Sequence, residues 1–364
     1  MVTGSAGFIG KNLLVKLVEN SIDYVCFTRD QFTKDLPKLL ENVDLVFHLA
    51  GVNRPSDFSE FDKQNHALTL TLCEAIKNTD RAIPVVFTSS IQAESNNAYG
   101  ASKKSAEDAL IELNAVTQSP VYLYRLPNVF GKWAKPNYNS VVATFCHNIA
   151  QDLPIRIDDP SRVVPLLYID DLLEQFIRVL ADPQTGVSRP IIKPEYSITV
   201  GDLASQIRAF HNSRKTLTTE EVGTGLLRSL YATYLSYLKP TQFTYEVASH
   251  EDTRGRFVEM LKTKDSGQFS FFTAHPGITR GGHYHHTKSE KFLVLQGLAR
   301  FGFRNILTNE AFELMTEGLV PKIVESIPGW THDITNIGEN ELIVMLWASE
   351  AFDRARPDTI ANKV

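Results

Sequence analysis

The chain has 364 residues, 43% of them hydrophobic and 22% charged, with a formal net charge of −5. At about 100–200 residues per domain this length predicts two or three domains, and the apolar and charged fractions exclude a wholly disordered chain. No apolar run approaches the ~20 residues of a membrane span, and without a Lys/Arg-rich run nucleic acid is not the expected main partner.

No basic stretch followed by an apolar segment opens the chain, so no secretory signal is expected and the predicted location is cytoplasmic. Cys26, Cys73 and Cys146 are odd in number and far apart, which fits buried thiols better than a disulfide framework or a metal pair.

Up to about residue 180, short apolar runs alternate with longer amphipathic stretches. Only Met1, Val2 and Thr3 precede the first glycine, against about 5–6 residues in an ordinary strand, so further residues are expected ahead of them. Thr3-Gly4-Ser5-Ala6-Gly7-Phe8-Ile9-Gly10 then places GxxGxxG between a strand end and a helix start. Glycines there allow a tight turn and let backbone N–H groups approach a pyrophosphate at the helix N-terminus. The candidate cofactor contacts are Gly4, Gly7, Phe8, Ile9 and Gly10.

A helix is expected over residues 11–19, then a strand over 24–27 that leads to Arg29-Asp30. An acidic residue here binds the ribose of NAD, whereas an arginine accepts the 2′-phosphate of NADP. Arg29 comes first and favours NADPH; a solvated surface arginine is the alternative. Strands follow over 45–49, 85–87 and 121–124, with helices over 65–77 and 102–113. Nearly all-apolar strands alternating with helices imply a doubly wound, Rossmann-like α/β domain with a parallel sheet covered on both faces.

Within that frame Tyr99-Gly100-Ala101-Ser102-Lys103 sets a phenol and an ammonium at i and i+4 on one helical face. A lysine cation nearby is expected to lower the phenol's pKa from about 10. The preceding strand ends Thr88-Ser89-Ser90, which offers a hydroxyl to a substrate carbonyl. Residues 180–245 carry Pro183, Pro190 and Pro194 and then helical segments near 200–210 and 226–238.

On the glycine motif, the serine and YxxxK in this order, the N-terminal part resembles the extended short-chain dehydrogenase/reductase family. His48-Leu49-Ala50-Gly51, Arg125-Leu126-Pro127-Asn128-Val129-Phe130-Gly131 and Tyr168-Ile169-Asp170-Asp171 agree with it. The resemblance implies that Ser90 (or Ser89) and Tyr99 contact the reacting oxygen, with Tyr99 the general acid and Lys103 holding the nicotinamide ribose. It adds Leu49, Ala50 and Gly51 to the cofactor contacts. Extended members usually act on nucleotide sugars, so Asn128, Lys135, Asn137 and Asn139 become the candidate substrate contacts, in a substrate subregion of about 130–245. Sugar dehydratases of this family carry an acidic pair after the active-site hydroxyl. Here Ile91 and Gln92 follow Ser90, which favours a reductase.

From about residue 246 the rhythm becomes short strands separated by turns, near 268–272, 292–295, 299–303, 323–327 and 342–347. That pattern predicts an all-β domain over 246–364, a sandwich or small barrel, after an α/β domain over 1–245. Six of the ten histidines lie here. Gly277, His283, His285, Glu290 and Gly297 have metal-ligand spacing, and His332 offers a fourth ligand. In a strand His283 and His285 share a face and His286 points away. Three imidazoles and a carboxylate suit zinc, with iron or manganese as alternatives. The cluster matches the cupin signature, except that Pro328 directly adjoins Gly329.

The whole chain resembles the capsule and O-antigen sugar-nucleotide enzymes that join an extended reductase to a C-terminal cupin. The resemblance implies a bifunctional enzyme. The zinc cupin would epimerise carbon 3 of a UDP-linked N-acetylated 4-keto-6-deoxyhexose. The reductase would then reduce the 4-ketone with NADPH to UDP-N-acetyl-6-deoxy-L-talosamine, toward UDP-N-acetyl-L-fucosamine. It also implies a homodimer through the cupin. The base for carbon 3 stays open among His286, Lys288 and Tyr284. Two other readings remain: a reductase whose cupin is only a metal-stabilised dimerisation module, and a non-catalytic nucleotide-sensing partner.

Overall fold

The computed structural model describes residues 1–28, 35–53, 57, 59–264, 267–355 and 357–364. The chain folds as two compact units, Met1–Arg208 with Arg228–Leu238, and Ala209–Leu227 with Lys239–Val364.

In the first unit the strands are β1 (Val2–Thr3), β2 (Cys26–Phe27), β3 (Val46–His48), β4 (Val85–Ser90), β5 (Val121–Leu126), β6 (Asn128–Phe130), β7 (Val163–Tyr168), β8 (Val187–Ser188) and β9 (Tyr196–Thr199). Six of them form one parallel sheet in the order β2-β1-β3-β4-β5-β8. Alternation along the strands assigns each face. Val85 and Phe87, with Val121 and Leu123, pack on Leu72, Ile76, Leu110 and Leu113 of helices Leu68–Lys77 and Ala98–Thr117. Val86, Tyr122 and Tyr124 turn the other way, onto Leu13 and Leu17 of helix Phe8–Glu19 and Leu172, Leu173 and Phe176 of helix Ile169–Ala181. This is the doubly wound parallel sheet expected from the sequence. The chain runs from β1 to β2 on one side and then crosses to β3 on the other side of β1, so the carboxyl ends of β1 and β3 flank the switch point where such sheets bind ligands. β6, β7 and β9 make a small separate sheet.

The second strand is shorter than expected because Tyr24 and Val25 are exposed rather than buried. Helix Ala98–Thr117 instead extends the expected segment at both ends. The Asn97 side chain accepts from Gly100 N at 2.8 Å at its start, and Gln118 closes it in a left-handed conformation.

The second unit is all-β apart from parts of helices Val200–Thr216 and Gly225–Leu235. Its strands are β10 (Thr218–Thr219), β11 (Ser249–Asp252), β12 (Gly255–Thr263), β13 (Gln268–Ala274), β14 (Thr279–Tyr284), β15 (Glu290–Gln296), β16 (Leu298–Asn305), β17 (Ala311–Glu317), β18 (Ile323–Glu325), β19 (Trp330–Asn336), β20 (Leu342–Ala348) and β21 (Ile360–Ala361). One sheet runs β10-β12-β13-β20-β15-β18 with β11 on β12, and the other β17-β16-β19-β14-β21. Phe272, Phe292, Val294 and Val344 of the first meet Phe301, Phe303 and Ile334 of the second in one core. β10, β11, β12, β17, β19 and β21 are not among the strands expected from the sequence, and for β11, β12 and β17 the reason is physical. β11 and β17 are largely exposed and β12 is mostly half-buried, so none carries a clear apolar alternation.

No helix among the described residues is long and apolar enough to cross a membrane. Phe176 is fully buried between Phe47 and Tyr124, with ring centroids 5.5 and 5.2 Å away. Phe176→Ala is expected to cost about 3–5 kcal/mol of unfolding free energy. Denaturant titration followed by fluorescence measures this; a loss below about 1 kcal/mol would show that the site collapses without cost to the core.

Candidate active site and metal centre

The glycine loop joins β1 to helix Phe8–Glu19. Gly4 takes φ +68, and a Cβ there would lie 2.6 Å from Ala50 N, so only glycine lets the loop meet the end of β3. A Cβ on Gly10 would fall 2.3 Å from the Gly4 carbonyl. The helix begins at Gly7 with no side-chain cap and no acidic residue in its first turn. Its uncapped N–H groups, Phe8 and Ile9 included, and its dipole fit a pyrophosphate. Leu49, Ala50 and Gly51 lie alongside. Arg29 is outside the described residues.

A buried relay ties this loop to the helix that carries Tyr99 and Lys103. Ala50 N donates to Thr3 Oγ1 at 3.1 Å, and Thr3 Oγ1 lies 2.8 Å from His48 Nδ1. His48 Nε2 lies 2.9 Å from Thr69 Oγ1, which donates to Asn65 O at 2.6 Å. Thr69 uses its proton on that carbonyl, so it accepts from His48 Nε2–H, and Nδ1 accepts from Thr3. His48 is therefore neutral. Burial pushes its pKa down to about 3, with the Lys103 charge adding to the effect. Asn65 continues the chain: it pairs with both backbone groups of Val52 and donates to Ser102 Oγ at 3.0 Å.

Ser90, at the end of β4, accepts from Gln92 N at 3.2 Å and lies near enough to the Tyr99 hydroxyl to favour its ionised form. Lys103 is buried and donates to the Thr88 carbonyl at 2.9 Å; burial lowers its pKa to about 8, while Glu107 opposes the shift. A Cβ on Gly51 would come within 3.2 Å of Lys103 Nζ, which places the ammonium beside the cofactor loop. The expected lowering of the Tyr99 pKa is corrected. Burial raises it, and the Ser90 hydroxyl only partly offsets the rise, because the Lys103 ammonium is directed to the Thr88 carbonyl.

Ser89 is not placed with Tyr99. It donates to Glu107 Oε1 at 2.5 Å. Glu107 has no exposed surface and takes a two-pronged bond from Arg125, Nε at 2.9 Å and Nη2 at 2.7 Å. Nothing in the sequence marks Glu107, because an acid four residues after a lysine reads as a surface helical pair.

The four candidate substrate contacts have these surroundings. Asn128 donates to the Pro165 carbonyl, Lys135 lies over the Tyr138 ring, Asn137 pairs with Asn148, and Asn139 is exposed.

In the second unit His283, His285, Glu290 and His332 do come together, one donor atom from each lying within 4.8 Å of the others. The strand carrying His283 ends at Tyr284, so His285 joins by a turn rather than by alternation, yet the two rings are 4.9 Å apart. His286 stays outside the cluster, against Tyr284. His285 Nε2 and His332 Nε2 lie 3.1 and 3.3 Å from the same oxygen, Glu290 Oε2, and Lys288 Nζ lies 3.3 Å from Oε1. Desolvation would raise the Glu290 pKa, but the neighbouring His285 and His332 imidazoles and the Lys288 charge hold its carboxyl far below the usual range. Burial first, then His332, pushes His283 down to about 4, leaving a neutral imidazole.

His285 Nδ1 faces the Asp358 carbonyl and must donate to it, so in the neutral imidazole the Nε2 lone pair meets a carboxylate oxygen, and the bonds to Glu290 and Asp358 raise the His285 pKa against the effect of burial. Two acceptors face each other stably only around a proton or a cation. His332 Nδ1 is also buried without a partner. A divalent cation fits this donor set.

An α/β unit with a dinucleotide-type switch point, followed by an all-β unit with a histidine–carboxylate cluster, defines a two-unit Rossmann-type protein. Residues 1–193 match the model of the NAD dependent epimerase/dehydratase family, and the chain belongs to that family. Residues 250–360 match the polysaccharide biosynthesis C-terminal domain. The chain is 56% identical, over all of its own length and 98% of the relative's, to a UDP-2-acetamido-2,6-beta-L-arabino-hexul-4-ose reductase of Pseudomonas aeruginosa. It is 37% identical to the capsular polysaccharide assembling protein CapF of Staphylococcus aureus, covering 100% of this chain and 99% of that one at a TM-score of 0.90. A UDP-glucose 4-epimerase of Thermus thermophilus shares only the fold, at 16% identity over 65% of this chain and 97% of its own, with a TM-score of 0.55.

The relay predicts acid sensitivity. The unfolded chain protonates His48 near pH 6.5 and the folded protein only near 3, so stability is lost as pH falls through that window. His48→Asn should be less stable at neutral pH but lose less on acidification into that window. Equal acid sensitivity in both proteins, measured by urea midpoints, would remove His48 as the cause.

Proposed function

We propose that the protein is an NADPH-dependent UDP-sugar 4-ketoreductase with a second, cupin-type centre that epimerises carbon 3 of the same substrate. The substrate is a UDP-2-acetamido-4-keto-6-deoxyhexose and the product UDP-N-acetyl-6-deoxy-L-talosamine, on the way to UDP-N-acetyl-L-fucosamine for capsule or O-antigen. The observation that carries this reading is Lys103 beside the glycine loop, on the same helix as Tyr99 and with Ser90 next to the Tyr99 hydroxyl. The full-length likeness to a reductase of a UDP-linked hexulose supports the substrate class.

A bound reduced nicotinamide supplies the hydride that reaches carbon 4. Ser90 and Tyr99 hold the ketone oxygen, and Tyr99 protonates it as the alkoxide forms. Lys103 keeps a positive charge next to the developing anion and holds the cofactor ribose. Arg29 favours the 2′-phosphate of NADPH on sequence grounds.

At the second centre, the proton on carbon 3 is acidic because the neighbouring ketone turns the carbanion into an enolate. A bound divalent cation supplies Lewis-acid stabilisation of that oxyanion. His283, His285, Glu290 and His332 would hold it, with zinc the expected metal. Phe312 and Met315 stand exposed on β17, an edge strand, and Leu295, Leu319 and Ile323 are exposed as well. A homodimer through this unit is part of the same reading.

The test runs the 4-keto sugar in deuterium oxide with and without NADPH. NADPH consumption with deuterium at carbon 3 of the product is expected. Tyr99→Phe should lower turnover by about 10²–10⁴-fold while leaving the label exchange intact. His283→Ala should abolish the label. Consumption without deuterium would reduce the second unit to a metal-stabilised dimerisation module, and no consumption would end the reductase reading.

A further inference from the structure

A short segment near the end of the sequence is built around the histidine cluster. The Asp358 carboxylate accepts from His286 N at 2.9 Å, Thr287 N at 2.7 Å, Lys288 N at 2.8 Å and Thr287 Oγ1 at 2.9 Å. Three successive backbone N–H groups thus converge on one side chain, a nest that fixes the loop between His285 and Glu290. The backbone carbonyl of the same residue accepts from His285 Nδ1.

The contacts continue along the segment. Ile360 and Ala361 pair with Tyr284 and His283, extending the sheet by β21. Asn362 N donates to Gly282 O at 2.9 Å, and Asn362 O accepts from Thr331 Oγ1 at 2.8 Å, next to His332. Arg304 ties the segment from β16 through Asn362 Oδ1 at 2.7 Å. Three of the four clustered side chains are therefore set by residues about 70 positions away from the first two and about 30 from the third.

We infer that residues 358–362 form a clasp for the metal centre and that Asp358 is its positioning residue, fixing which nitrogen of His285 faces the cation. This rests on the reading of His283, His285, Glu290 and His332 as a metal site. The mechanism is a division of labour within one residue. The Asp358 side chain anchors the segment to the loop, and the anchored carbonyl commits Nδ1 to donating, so that Nε2 is left as ligand. Asp358→Ala keeps the carbonyl but frees it. The imidazole can then rotate or change tautomer, and the metal loses a preset donor.

The test is cobalt(II) and zinc titration of the full chain against a chromophoric chelator, with the visible cobalt spectrum recorded. The unsubstituted protein is expected to bind one equivalent. Asp358→Ala should bind about 10–100-fold more weakly, with an altered cobalt band. Its thermal midpoint in chelator should stay near that of the unsubstituted protein and rise less when metal is added. Asp358→Glu, which keeps a carboxylate, should recover part of the affinity. Should Asp358→Ala fail to fold, Thr287→Val removes one of the four donors and should show a smaller loss in the same direction. Unchanged affinity and spectrum, or an equal loss of stability with and without metal, would overturn the clasp. No metal binding by the unsubstituted protein would instead overturn the metal site itself.

Discussion

The geometry of the first unit's candidate site hangs on one ion pair, the buried Glu107 with the half-buried Arg125. Glu107 projects from helix Ala98–Thr117, which carries Tyr99 and Lys103, and Arg125 from β5. Ser89 of β4 adds a third bond to the same carboxylate. Helix, β4 and β5 are thereby fixed to one another close to the candidate catalytic residues. Removing Arg125 would leave the Glu107 carboxylate stranded in the interior, at a cost of about 3–5 kcal/mol. An apolar pair would pack as well but would not fix the angle between helix and strands. Desolvation works against the charged form of Glu107, and the bonds from Arg125 and Ser89 more than compensate, holding its pKa below the usual value.

The same element accounts for the state of Lys103. Burial alone would drive that amine toward neutrality, and Glu107, one turn further along, opposes this. Lys103 is held beside Gly51 with its charge near the point of loss, a poise suited to answering an anionic cofactor or a forming alkoxide. His48 is the complement. It is buried and neutral, its two nitrogens fully committed, and it transmits the position of the glycine loop through Thr69 and Asn65 to Ser102. Between them the two networks fix the loop and the helix from opposite ends.

Much of this is legible in the sequence and some is not, for physical reasons. The strands of the parallel sheet stand out because burial on both faces demands continuous apolar runs such as Val85-Val86-Phe87. The glycines and YxxxK are legible because their chemistry is local: spacing along a helix determines which side chains are neighbours. Glu107 and Asp358 are not. Each acts through contacts with residues distant in sequence, and neither residue type carries a local signature. The direction of the Tyr99 shift escapes for the same reason, since helical spacing brings Lys103 near but does not show that its ammonium donates to the Thr88 carbonyl. The histidine cluster follows from spacing even though the strand ends early, because a turn brings His285 to the place alternation would have put it.

On the proposed reading, the order of the two reactions follows from the substrate. The carbon 3 proton is acidic only while carbon 4 is a ketone. Once that ketone is reduced, the enolate route closes and the stereochemistry at carbon 3 is frozen. Epimerisation must therefore come first, and it is reversible, because both epimers pass through the same enolate. Reduction draws one epimer out of that equilibrium. A reductase that accepted both would yield mixed products however good the epimerase, so selectivity has to reside at the Ser90–Tyr99 end of the chemistry. The metal centre then has only to make exchange fast, and a site built from four clustered donors and a clasp is adequate to that simpler task.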